Sequence, residues 1–118
     1  SLNALAAAVY MTSLGPRGLA RAAELSWHKA HYAASRIATL PGYRVEPGEF
    51  FHEFSVVCPR PVGETNKRLF DRNGIIGGYD LGIDYPERAG QMLVCCTEMS
   101  TKTEIDRLVA ALGEVGNA

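Results

Sequence analysis

Gln91-Met92-Leu93-Val94-Cys95-Cys96-Thr97-Glu98 is the stretch that decides the fold. It is apolar at successive positions, not at alternate ones. A strand read this way is covered on both faces or flanked on both edges, so 91–98 is expected to be a central strand. Directly after it, Thr101-Lys102-Thr103-Glu104 has the spacing of a capping box. The Thr101 hydroxyl can accept from the Glu104 amide, and the Glu104 carboxylate can reach back. Ile105, Leu108, Val109 and Leu112 then recur at helical spacing. A buried strand feeding a capped amphipathic helix sets a layered α/β arrangement.

Working outward, Phe50 to Cys58 (FFHEFSVVC) is rich in aromatic and β-branched residues, and its later part reads as a second buried strand. Pro59 and Pro61 stop it. Residues 62–73 read as a short helix with Val62, Leu69 and Phe70 on or near its inner face. Asn73-Gly74 signals a turn, Ile75-Ile76 a brief strand, and the stretch to Ala89 a loop interrupted by Gly and Pro. On the other side, residues 43–46 suit a short strand. Residues 16–39 suit a helix whose buried stripe runs through Leu19, Ala23, Ala30, Ala34 and Ile37, with Ala22 and Ala33 beside it. Residues 2–13 suit another helix, Ala-rich and apolar nearly all round. Gly15 and Pro16 separate the two. The order predicts an α+β domain of two layers, a mostly antiparallel sheet with helices on one face. The first helix carries more apolar surface than one small sheet can cover, so it is expected to cover or join something outside this stretch.

The 118 residues allow one domain. With 47% hydrophobic residues they can form a core, and 21% charged residues at net charge −1 argue against a disordered tail or a nucleic-acid footprint. No apolar run is long enough for a membrane span. Cys58, Cys95 and Cys96 make a poor disulfide framework and read as three reduced, buried thiols of a cytoplasmic protein. Adjacent strand residues face opposite ways, so Cys95 and Cys96 cannot hold one metal together.

Few residues suggest chemistry. Glu24, His28 and His31 share a helix face, as a zinc site would need, but an ordinary polar face explains them as well. Lys29 reads as surface and, like Lys67 and Lys102, lacks the desolvated setting of a nucleophile. His52-Glu53 could do acid–base work, although strand alternation separates neighbours. Gly74 to Gly82 (GIIGGYDLG) lacks the spacing of a dinucleotide loop and the lysine of a P-loop. Its glycines fit either a tight hairpin or bulge, or a close backbone approach to a partner or ligand with Tyr79 and Asp80 displayed. Glu98 ends the central strand as an edge residue or as a polar group presented to a cleft.

Four stretches together resemble a known family: LNALAAAVYMTSLGPRGL at 2–19, KAHY at 29–32, GIIGGYDLGIDYPE at 74–87 and LVCCTEMSTKTEIDRLVAAL at 93–112. They are similar to the C-terminal part of the glycine cleavage system P-protein, in its split form, subunit 1 of the decarboxylating glycine dehydrogenase. The resemblance implies the C-terminal domain of a type I pyridoxal-phosphate (PLP) enzyme, with residues 1–40 as connecting helices and 41–118 as the small domain. It implies PLP-dependent decarboxylation of glycine with transfer of an aminomethyl group to the lipoyl arm of H-protein. It also implies subunit 2 as partner, the Schiff-base lysine in that subunit, and a fragment inactive alone. No catalytic, cofactor-binding or metal residue carries over. Gly77, Gly78, Tyr79, Asp80, Leu81, Thr97 and Glu98 match family-typical segments and are candidates for the substrate cleft or an interface. Two other readings stay open: a free-standing ferredoxin-like binding module, and the small domain of another type I enzyme, for which Arg88 and Arg107 are the late arginines.

Overall fold

A computed structural model describes residues 2–117, with side chains from Gly15 onward. Helix α1 spans Leu2–Ile37 and is broken at Gly15 (φ 71°, ψ 176°), with Pro16 opening the second part. Only glycine adopts that positive φ without strain, so the expected stop falls where the sequence puts it. The apolar excess expected for 2–13 concerns side chains outside the described residues. In the second part Ala30, Ala33, Ala34 and Ile37 are buried, whereas Leu19 is exposed.

Four strands follow: β1 (Arg44–Val45), β2 (Glu53–Val57), β3 (Tyr79–Asp80) and β4 (Gln91–Cys95). They form one sheet in the order β1-β2-β4-β3, antiparallel at every pairing. Helix α2 (Val62–Asn73) joins β2 to β3, and β4 lies between those two strands, which makes a split βαβ unit. Helix α3 (Lys102–Asn117) follows β4. The apolar run at 91–95 is indeed central. Past Cys95 the chain leaves the sheet and turns over Thr97–Ser100, so the strand is shorter than its apolar pattern.

The register places Phe54 opposite Val94 and Val56 opposite Met92. These four are buried with Ile37 of α1, Val62 and Leu69 of α2, and Ile105, Val109, Leu112 and Val115 of α3. All three helices therefore cover one face. The other face pairs Glu53 with Cys95, Ser55 with Leu93 and Val57 with Gln91, and stays partly open.

Several local expectations need correction. The brief strand is at Tyr79–Asp80, not Ile75-Ile76, because only the later pair meets Leu93 and Met92 in register. Phe70 is 61% exposed while its neighbour Leu69 is fully buried: one residue of helix turns the side chain by about 100° away from the sheet. The capping box forms in part. The Glu104 amide donates to Thr101 Oγ1 at 3.1 Å, but the carboxylate accepts from the Thr101 hydroxyl at 2.9 Å. Cys58 and Cys96 are buried, but Cys95 is exposed, because its side chain points to the open face.

Candidate functional site

The glycine-dense loop begins as the cap of α2. Gly74 takes a left-handed conformation (φ 66°), and its amide donates to the Phe70 carbonyl at 2.9 Å. Further on, the backbone comes too close to its neighbours to carry side chains. A Cβ on Gly77 would lie 2.1 Å from Asn66 Oδ1, and one on Gly78 would lie 2.3 Å from the Leu93 carbonyl oxygen. Asn66 Nδ2 donates to the Gly78 carbonyl at 2.8 Å and ties the loop to α2. The glycines thus serve a close backbone approach, and the surfaces approached are β4 and α2 of the same chain.

This seating displays the next residues. Tyr79 is exposed, and its hydroxyl donates to Asp84 at 2.5 Å. That bond holds the phenol above its ordinary pKa. Asp80 accepts from the Gly82 amide at 2.9 Å and shapes the following turn, and Leu81 is buried beneath it.

Thr97 and Glu98 lie in the turn after β4. Thr97 Oγ1 accepts from the Met99 amide, and Ser100 Oγ accepts from the Thr97 amide, so the turn is fixed by its own hydroxyls. Helix α1 holds it from the other side. Ser26 donates to Glu98 Oε2 at 3.3 Å, and Lys29 donates to the Glu98 carbonyl at 2.7 Å. Lys29 is therefore half-buried at a junction, not the free surface lysine its helical context suggests.

The two candidate groups do not converge. Tyr79 and Asp80 pair with Leu93 and Met92, several residues along β4 from Thr97 and Glu98. A cleft of about 290 Å³ lies near both, lined by Ile75, Ile76, Val94, Leu108, Glu104 and Arg107 among others. None of the seven candidates lines it.

The remaining polar clusters sort by geometry. His28 sits 3.8 Å from Glu24, but His31 stacks between Trp27 and Phe50, with ring centroids 3.8 and 4.0 Å away. An imidazole clamped between two rings is not free to join the other two around a metal. Both late arginines are engaged within the chain: Arg88 donates to Gln91, and Arg107 to the Asn73 carbonyl. Burial pushes the Cys58 and Cys96 thiols up to about 11, and Cys95 is raised by partial burial and then by the charge of Glu53. No described cysteine is an activated thiolate.

One cluster escaped the sequence. His52, Glu53 and Cys95 each offer a ligand atom, all within 4.8 Å of one another. Alternation within a strand argued against His52 and Glu53 acting together. Strand β2, however, starts only at Glu53, and Cys95 comes from a partner strand whose register no local pattern reveals.

The layered architecture is that of the small domain of type I PLP-dependent enzymes. It superposes on a crystal structure of glycine decarboxylase (P-protein) of the glycine cleavage system, in inhibitor-bound form. The TM-score is 0.81 at 31% identity, over 92% of this chain and 24% of that one. The structure of mouse CSAD shares the fold at TM-score 0.70 and 17% identity, over 91% of this chain and 25% of that one. Residues 1–112 match the glycine cleavage system P-protein family, and the chain belongs to that family. Among curated relatives, the probable glycine dehydrogenase (decarboxylating) subunit 1 of Thermomicrobium roseum is 54% identical over 114 residues, covering 96% of this chain and 25% of that protein. Its counterpart in Geobacillus kaustophilus is 50% identical over 114 residues, covering 97% and 25%. The chain thus spans about a quarter of the length of the curated relatives it matches.

Proposed function

We propose that this chain is the C-terminal small domain of a glycine dehydrogenase (decarboxylating) subunit 1, working in the glycine cleavage system. In this reading residues 1–40 connect to the rest of the subunit, and 41–118 form the small domain. The observation that carries it is identity of 50–54% across almost the whole chain to relatives of that name. The complete enzyme would decarboxylate glycine and pass an aminomethyl group to the lipoyl arm of H-protein, in the cytoplasm.

Pyridoxal phosphate, when bound, supplies the electron sink for loss of carbon dioxide. The residues of this chain do not fit its attachment. The sequence has three lysines, and each is committed: Lys29 to the Glu98 carbonyl, Lys67 to Asp71 at 2.6 Å and Lys102 to Asp106 at 2.8 Å. A Schiff-base lysine needs a neutral amine, and the bond to Asp106 raises the Lys102 pKa instead. On this reading the cofactor is attached outside this chain, and the family likeness supports subunit 2 as the subunit that holds it. What this chain contributes is shape. Its three helices back the sheet, and the Gly77–Leu81 and Thr97–Glu98 segments are its candidates for contact with the active-site cleft or subunit 2.

The test is exchange of labelled bicarbonate into the carboxyl group of glycine, using the complete subunit with subunit 2 and H-protein. Exchange that depends on all three supports the assignment. Its absence with correctly assembled, cofactor-loaded protein overturns it.

A further inference from the structure

The geometry points to a binding site for a zinc-class divalent cation at His52, Glu53 and Cys95, where the start of β2 meets the end of β4. Glu53 and Cys95 are direct cross-strand partners, so their side chains leave the same, open face of the sheet. His52 precedes the strand in a bend, and its carbonyl accepts from the Cys96 amide at 2.8 Å. That bond pins the backbone of His52 beside the Glu53–Cys95 pair. The ligand atoms of the three lie within 4.8 Å of one another. A tetrahedral zinc ion with one sulfur, one nitrogen and one oxygen ligand holds them about 3.3–3.7 Å apart. Small rotations of the exposed Glu53 and Cys95 side chains about the half-buried His52 close that difference.

Three further observations favour a cation. Thiolate, imidazole and carboxylate together form a donor set suited to zinc and its borderline-soft neighbours. Nδ1 of His52 is buried without a hydrogen-bond partner, so no described group competes for it. No described basic side chain forms an ion pair with Glu53. A cation there would take the Cys95 thiolate as ligand, with release of its proton. Three protein ligands leave one position for water, and the ion would clamp the two central strands where β4 gives way to the Thr97–Ser100 turn. The inference does not rest on the glycine reading.

The experiment is titration of the metal-free complete subunit with Co²⁺, followed by the thiolate-to-cobalt charge-transfer band. We expect a component of one ion per chain that is lost in Cys95→Ser and kept in Cys58→Ser. Affinity at that component should fall at least about 100-fold in His52→Asn and Glu53→Gln, since losing a residue that only orients a ligand costs about 10–100-fold. Circular dichroism establishes that each variant is folded. Glu53→Gln, at an exposed position, serves if Cys95→Ser does not fold. Co²⁺ binding and spectra in Cys95→Ser or Glu53→Gln identical to the parent would overturn the site, and so would the absence of any thiolate band.

Discussion

The ring of Tyr43 occupies the space that a side chain on Gly116 would need: a Cβ there would lie 2.8 Å from the ring edge. The Tyr43 hydroxyl also donates to the Leu112 carbonyl at 2.6 Å. A residue just before β1 thereby locks the last turns of α3. This is why a helix can carry Gly113 and Gly116 and still run to Asn117.

Gly116→Ala should therefore destabilise the domain, although alanine is the better helix former. The propensity gain is at most about 1 kcal/mol and smaller near a helix end. Displacing a packed ring costs about 1–3 kcal/mol. Tyr43→Phe should keep the packing and lose about 0.5–1.5 kcal/mol through the missing hydrogen bond. Urea unfolding of the complete chain, with hydrogen exchange to localise the effect in α3, measures both. A stabilised Gly116→Ala protein would show that the ring is not seated on the helix.

The loop glycines should rank by what they touch. Gly78→Ala meets a backbone carbonyl of β4 and should cost about 3 kcal/mol, the upper range for overpacking. Gly77→Ala meets the end of Asn66, which can move only by giving up its bond to Gly78, and should cost somewhat less. Gly63, in α2, has nothing within 4 Å of a built Cβ, so Gly63→Ala should stabilise by up to about 1 kcal/mol. Equal effects at 63 and 78 would contradict the close approach.

Thiol accessibility should separate the cysteines. Cys95 is exposed, whereas Cys58 and Cys96 are buried with pKa values pushed up to about 11. Iodoacetamide should label Cys95 first, with the other two reacting only as the fold opens. Peptide mass spectrometry of a time course reads this directly. Early labelling of Cys58 or Cys96 would argue against the burial described.

Alkaline pH should weaken the fold in a defined window. Burial raises Cys58 and Cys96 from 9.0 to about 11, and burial followed by the charge of Cys58 raises Tyr43 from 10.0 to about 12. Each folded group holds its proton to higher pH than the unfolded chain does. The stabilisation is complete below about pH 9 and is lost as pH rises through about 11. Unfolding midpoints should be level with respect to these groups at neutral pH and fall above pH 9. Cys58→Ala should reduce the steepness of that fall. A midpoint unchanged between pH 9 and 11 would rule the mechanism out.

Much of the architecture is legible in short stretches of chain. The Thr101–Glu104 cap and the Ile105–Leu112 spacing mark α3, Gly15-Pro16 marks the break in α1, and the run from Gln91 marks the central strand. Each is a balance among neighbours within a few residues: caps satisfy local amides, glycine permits one backbone region, and apolar spacing follows helix or strand period. The family was likewise legible, through GIIGGYDLG and CCTEMSTKTEID.

What only the tertiary structure decided depends on partners far along the chain. Tyr79–Asp80 became the edge strand, and Ile75-Ile76 did not, because glycines at 77 and 78 let the backbone reach Leu93. Register set Glu53 against Cys95 and brought His52 beside them, which no period within either segment encodes. Lys29 looks exposed on its own helix but donates to the Glu98 carbonyl, because α1 meets the turn that follows β4. Local sequence chooses the elements because their energies sum over adjacent residues. Register and contact are chosen by which faces bury together, and that sum exists only in the folded chain.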